Sequence, residues 1–483
     1  MKKSSFKYLP KEERKKILLI CDDIRVHSGV ATVAREIVMG TAHHFNWINL
    51  AGAIKHPDKG KMLDISQDTG KNIGIEDASV FLIPVDGYGN GQIVRDILHH
   101  HKPDAILLIT DPRYFGHVFN MEQEIRKHCP IAYLNIWDDY PSPMWNRPFY
   151  EACDLLMAIS KQTKNINSLV LEEVAERRIL RYVPHGLNEE IFFPITEDHK
   201  DYTKLKEFKK TLLKSSDIDF TLFFNSRNIR RKQIPDTLFA FRWFLDQLPK
   251  DKARRCRLLL HTEVKSDHGT DLEAVRNFLF DEDYPDCVVF DEKKWTQPDL
   301  NLMYNMADAQ ILLTSNEGWG LSLTEAMLAG KPIIVNVTGG MQDQCKFMDE
   351  EGNWIEFDNK FLSNHRGTYK KCGEWAFPVY PTSRSAQGSI PTPYIFDDRC
   401  SWEDAGERIL ELYNMDSEKR KAKGLKGREW AVSDEAGFTT RHQADRVIDA
   451  FTTLFDTWEG REKYDIVNAT EFKGRTLKHP LIY

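Results

Sequence analysis

Two carboxylates eight residues apart give this chain its first chemical signal. They are Glu317 and Glu325, in SNEGWGLSLTEAMLAGKP at residues 315–332. Glu317 sits in a glycine-rich turn just after the apolar run AQILLTS, and Glu325 falls in the first turns of a helix expected over LSLTEAMLAG. A carboxylate accepts two hydrogen bonds from a vicinal diol, so Glu325 suits one polyol and Glu317 a second. Gly318 and Gly320, on either side of Trp319, let backbone N–H groups approach a ligand. The helix opening at Leu321 turns its partial positive end the same way. Acids near a helix N-terminus also balance its dipole, which is the plain alternative.

A second segment supplies the opposite charge. In FFNSRNIRRKQIPDTLFAF, Arg227 and Lys232 are spaced R-x4-K directly after the run FTLFFNS. Arg230 and Arg231, between the two, are expected to be solvated loop charges.

Such residues need elements that bring them together. Short apolar runs alternate with helical patterns throughout the chain, as in α/β domains with parallel sheets. In the first half the expected strands are 16–23, 47–51, 80–86, 105–110, 131–137, 155–160 and 181–186. The rhythm restarts at 220–226, 256–262, 288–292, 309–315 and 331–337. In such sheets ligands bind beyond the carboxyl ends of the strands, where both Glu317 and Arg227 fall. The expected division is residues 1–195, 196–435 and a C-terminal helix and tail at 436–483 that returns to the first domain. A hinge is expected near 186–205, and the Trp-, Pro- and Ser-rich stretch 352–400 is expected to be an insertion or long loop. Helical patterns follow at 402–413 and 438–458.

EGWGLSLTEAMLAGKP resembles the signature of retaining glycosyltransferases of the GT-B fold, the family-four type (glycosyl transferases group 1). Glu317, Gly318, Gly320, Leu321, Glu325, Ala326, Met327, Gly330 and Pro332 match it. The resemblance implies two Rossmann-like domains facing a cleft. It further implies Glu317 on hydroxyls of the transferred sugar, Glu325 on the nucleotide ribose, and Arg227 and Lys232 on the donor diphosphate. Ser226 stands where the family usually has glycine. VPHGLNEEIFFP and TGGMQD (338–343) resemble the family's interdomain segment and a glycine-rich loop near the sugar. Gly29 corresponds to a glycine loop near the donor phosphate and the acceptor, with His27 and Ser28 lining either the cleft or a surface loop. One departure is plain: where members carry a histidine after the strand corresponding to IAYLNIW, this chain has Trp137, Asp138 and Asp139. An aspartate there suits an acceptor hydroxyl or general-base work, and helix capping or loop solvation serves equally well.

The expected function is transfer of a sugar from a nucleotide-sugar donor to the hydroxyl of a glycan, lipid or small molecule. No metal or other cofactor is expected, since Arg227, Lys232 and the helix N-terminus stabilise the leaving group. Transfer to modified bases in DNA is the enzymatic alternative, through clusters such as RNIRRK and KRKAKGLKGR. The net charge of −7 over 483 residues does not favour it. A catalytically silent protein that binds nucleotide sugars in the same pocket is the alternative of another class. GYGNG (87–91) lacks the full spacing of a nicotinamide-binding loop, and His99, His100 and His101 end a helix rather than bind metal. Trp375, Trp402 and Tyr394 are expected to be packing residues. The eight cysteines show no metal-ligand spacing and suit reduced thiols in the cytoplasm. No run is long enough to span a membrane.

Overall fold

A computed structural model describes residues 4–215, 217–358 and 361–460. Eight strands form the first sheet: Lys15–Asp22 (β1), Phe45–Gly52 (β2), Leu63–Asp64 (β3), Val80–Pro84 (β4), Ala105–Ile109 (β5), Ile131–Asn135 (β6), Leu155–Ala158 (β7) and Ile179–Tyr182 (β8). Their order is β3-β4-β2-β1-β5-β6-β7-β8, and only the two-residue β3 pairs antiparallel. Successive side chains of a strand point to opposite faces. Ile17 and Leu19 of β1 therefore enter one core, and Leu18 and Ile20 enter the other. Burial on both faces explains why these strands read as continuous apolar runs.

The second sheet contains Phe220–Asn225 (β9), Cys256–His261 (β10), Val288–Asp291 (β11), Ala309–Leu312 (β12), Ile333–Asn336 (β13) and Ala376–Val379 (β14). It is parallel throughout, in the order β11-β10-β9-β12-β13-β14. Placing β9 beside β12 brings the arginine-rich loop after β9 next to the glutamate loop after β12.

Two segments pass between the sheets, and they pair with each other. Leu187 N–H donates to Phe438 O (3.1 Å), and Thr440 N–H donates to Leu187 O (3.0 Å). The helix Thr440–Thr457 then lies against the first sheet's helix Gly29–Thr41. Thr440 donates to the buried Glu36 carboxylate, and Phe451 meets Phe45 edge-on at 5.7 Å.

Every expected strand is present, but the stretch 352–400 is not simply a loop. It holds β14 and an antiparallel hairpin, Ser383–Ser389 (β15) and Thr392–Arg399 (β16), that joins neither large sheet. KRKAKGLKGR lies within a helix, Ser417–Ala431, whose Arg420 and Arg428 turn inward onto backbone carbonyls. The expected tail beyond residue 460 lies outside the described residues. All eight cysteines are free thiols. Among the described residues no helix is long and apolar enough to cross a membrane.

Candidate active site

At the carboxyl ends of β9 and β12 a short loop from each strand meets the other. Thr314 Oγ1 and Ser315 N–H both donate to Arg231 O, at 2.9 and 2.8 Å. This turns the Arg231 and Lys232 side chains towards Glu317. Lys232 donates to Glu317 Oε2, and Arg231 donates to the same oxygen at 2.9 Å and to Asn316 O at 2.7 Å. Burial opposes the charge on Glu317, but Arg231 and Lys232 overcome it and hold the carboxyl at about 2. Burial likewise pulls the Lys232 ammonium down, against the attraction of Glu317.

The cation paired with Glu317 beside Lys232 is therefore Arg231, not Arg227. Arg231 was expected to be a solvated loop charge; it is one-third exposed and fixed by the cluster. The loop makes a short 3-10 turn at Arg230–Lys232, which leaves Arg227 and Arg230 exposed and turns Arg231 inward.

Glu325 is held separately. Gly320 takes a left-handed φ of 87° and starts the helix Leu321–Leu328, placing Glu325 little more than one turn below the glycine turn. Its Oε2 accepts from Tyr304 Oη and from Asn225 Nδ2 (3.4 Å). Burial raises the carboxyl, and these donors counter it. Neither donor was expected from the sequence: Asn225 ends β9, where the strand-end rule could have found it, whereas nothing in the local sequence marks Tyr304. Trp319 is 2% exposed, and its indole donates to Thr324 Oγ1 (3.0 Å) and packs on Phe438 at 4.8 Å. Its side chain anchors the loop to the interdomain crossing and does not face a ligand.

The first domain closes over this loop. A Cβ on Gly318 would lie 2.9 Å from Ile159 Cδ1 and 3.0 Å from Ile136 O, so only glycine lets the two surfaces approach this closely. Gly29 faces Leu321 across the gap. Gly340 N–H, from the TGGMQD loop, donates to Glu317 O at 2.9 Å. His185, in the interdomain segment, is buried near Glu317 with Nδ1 unpartnered. Burial pushes its imidazole down to about 3.

The expected acceptor residues fare differently from one another. His27 is exposed beside the exposed Gly29. Ser28 is committed as a helix cap, accepting from Ala31 N–H (3.0 Å) and donating to Asp22 Oδ2 (2.6 Å). Asp138 is partly exposed, and it lies close enough to Arg231, Glu317 and Lys232 to feel their charges. Asp139 is only 1% exposed: Oδ1 accepts from Tyr140 N–H (2.7 Å) and Oδ2 has no partner. Burial and then the neighbouring Asp138 push its carboxyl well above the usual range. Asp139 is thus part of the wall, its carbonyl accepting from the Trp137 indole (2.7 Å), and its side chain is closed off from an acceptor.

Residues 282–361, which include both glutamates, match a family model described as Glycosyl transferases group 1. Among curated proteins no sequence matches. Sucrose-phosphate synthase from Thermosynechococcus elongatus superposes with a TM-score of 0.64 at 14% identity, over 92% of this chain and 100% of that one. Anabaena HepE in complex with UDP and glucose gives 0.61 at 13% identity, over 91% and 100%. The E. coli trehalose-6-phosphate structure bound with UDP-2-fluoro glucose gives 0.62 at 11% identity, over 92% and 100%. At these identities the likeness is one of fold. The chain has the GT-B arrangement and resembles the group-1 glycosyltransferases in fold and in its glutamate motif.

Proposed function

We propose that this protein is a retaining glycosyltransferase using a nucleoside diphosphate sugar. The observation that carries this is the buried cluster of Glu317 with Lys232 and Arg231, set beside the N-terminus of the helix that carries Glu325 at the carboxyl ends of β9 and β12. A nucleoside diphosphate sugar presents groups in the matching order: ribose diol, diphosphate, sugar hydroxyls. Glu325 takes the ribose, Lys232 takes the diphosphate with Arg227 or Arg231 as second cation, and Glu317 takes sugar hydroxyls.

The acceptor oxygen bonds to the anomeric carbon as the bond from that carbon to phosphate oxygen breaks. The acceptor proton passes to the departing phosphate on the same face, so configuration is retained. Lys232 and the N-terminus of the helix Leu321–Leu328 stabilise the charge that grows on that phosphate. The wall formed by Gly318 against Ile136 and Ile159 keeps water from the donor. Uridine donors are the first to test, because HepE holds UDP with glucose and the E. coli protein holds UDP-2-fluoro glucose.

The test is a turnover screen with UDP-, GDP- and ADP-sugars, water or added glycans serving as acceptor. One donor should be consumed, and Lys232→Ala should slow that consumption about 10²-fold or more. Tight nucleotide binding with no turnover of any donor would instead identify a binding protein.

A further inference from the structure

The hairpin β15–β16 lies outside the matched family segment, yet it touches both sides of the candidate site. On the donor side, Asp398 N–H donates to Ser315 O (3.0 Å). Asp397 Oδ1 accepts from Ser315 Oγ (3.1 Å) and Asn316 Nδ2 (3.2 Å), the two residues just before Glu317. On the other side, Phe396 N–H donates to Tyr140 O (2.8 Å), in the loop that carries Asp138 and Asp139. The Tyr394 ring sits 4.5 Å from Trp145, which itself sits 5.6 Å from Trp137. At the tip, Arg113 donates to Pro391 O and to Thr392 Oγ1.

The backbone N–H groups of residues 396 and 398 leave the same edge of β16, about 7 Å apart. One stiff edge is thus bonded to the Tyr140 loop and to the Ser315 loop at once. The base of the hairpin is equally fixed. The buried Asp398 carboxylate accepts from Thr338 Oγ1 (2.8 Å) and Arg384 Nε (3.0 Å), and its carbonyl accepts from Asn336 Nδ2 (2.9 Å). Any displacement of the Tyr140 loop must therefore either break the Phe396 bond or drag Ser315 and Asn316, and with them Glu317.

We infer that the hairpin couples the first domain's segment 136–145 to the glutamate loop, with Asp397 as the positioning residue that sets Glu317. This rests on the proposed sugar role of Glu317, but the coupling itself can be measured without any donor. Amide hydrogen exchange of the full chain reads it: Tyr394→Ala loosens the hairpin only at its first-domain end, some distance from Ser315. Exchange in peptides covering 313–318 should rise by about tenfold, with that at β10 unchanged. Asp397→Ala should produce the same rise, and Asp397→Asn, which keeps an oxygen acceptor at that position, should restore slow exchange. With whichever donor the screen identifies, Asp397→Ala should lower kcat while leaving the affinity for free UDP (or the matching diphosphate) within about twofold. Faster exchange confined to residues 383–399 in Tyr394→Ala, with 313–318 unaltered, would overturn the coupling. If instead the coupling appears and no donor is ever consumed, the functional proposal fails and the coupling stands.

Discussion

Glu317 and Lys232 hold each other, and this has a measurable consequence at the scale of single residues. A diphosphate entering the site competes with the Glu317 carboxylate for Lys232 and Arg231. Glu317→Gln releases both cations, so calorimetry should show free UDP binding more tightly than to wild type while sugar transfer falls about 10²-fold. Glu325→Gln should do the reverse to the nucleotide, weakening UDP, because the ribose loses its acceptor. Two variants that weaken UDP equally would contradict this division. The carboxyl of Glu317 is held at about 2, well below its unfolded value near 4.3. It stays ionised at every ordinary assay pH, so an acid limb above pH 4 must come from another group. The R-x4-K spacing identified Lys232 from the sequence, but which arginine turns inward is decided by the 3-10 turn and by the carbonyl contacts to Thr314 and Ser315. No local pattern encodes those contacts.

At the scale of elements, the parallel strands were legible because burial on both faces leaves an uninterrupted apolar run. β14 was not, since AFPV is short, contains proline and is separated by some forty residues from its partner β13. The hairpin was hidden for a different reason. β15 (SRSAQGS) is almost wholly exposed and lacks the alternation that marks a half-buried strand. Its hold on the site passes through Asp397, about eighty residues from its partners Ser315 and Asn316. The helix Thr440–Thr457 was readable from its period, and its docking can be tested directly. Phe451→Ala should cost about 3–5 kcal/mol in denaturant unfolding, because the ring is fully buried and packs against Phe45.

Across the whole molecule, the domains are tied by a reciprocal pair near the TGGMQD loop. Asp343 Oδ2 accepts from Lys161 N–H (2.9 Å) and Tyr182 Oη (3.0 Å) of the first domain. Lys161 Nζ in turn reaches Ile355 O (2.9 Å) and Glu356 (2.7 Å), over the Trp354 ring at 3.7 Å. Burial raises the Asp343 carboxyl to about 7, against the pull of Lys161 and Tyr182. Its unfolded value is about 4, so between roughly pH 4 and 7 the folded state binds more protons than the unfolded one. Stability therefore falls as pH rises through that window. Asp343→Asn keeps an acceptor oxygen but cannot ionise, and it should flatten that fall in Tm measured from pH 4 to 8. A Tm profile identical to wild type would remove Asp343 from the pH response. Closure of the cleft over the donor should also show as a smaller radius of gyration in solution scattering with saturating nucleotide.

The return of Thr440–Thr457 onto the first sheet also orders events during synthesis. At about 5–20 residues per second, β8 leaves the ribosome some fifteen seconds to a minute before the helix that must cover Phe45. Throughout that interval the nascent first domain carries an uncovered apolar face while the second domain is still being made. Its completion depends on the last helix of the described chain. A nascent chain stalled before residue 440 should therefore be a chaperone client and sensitive to proteolysis, although every strand of its first sheet has already been translated.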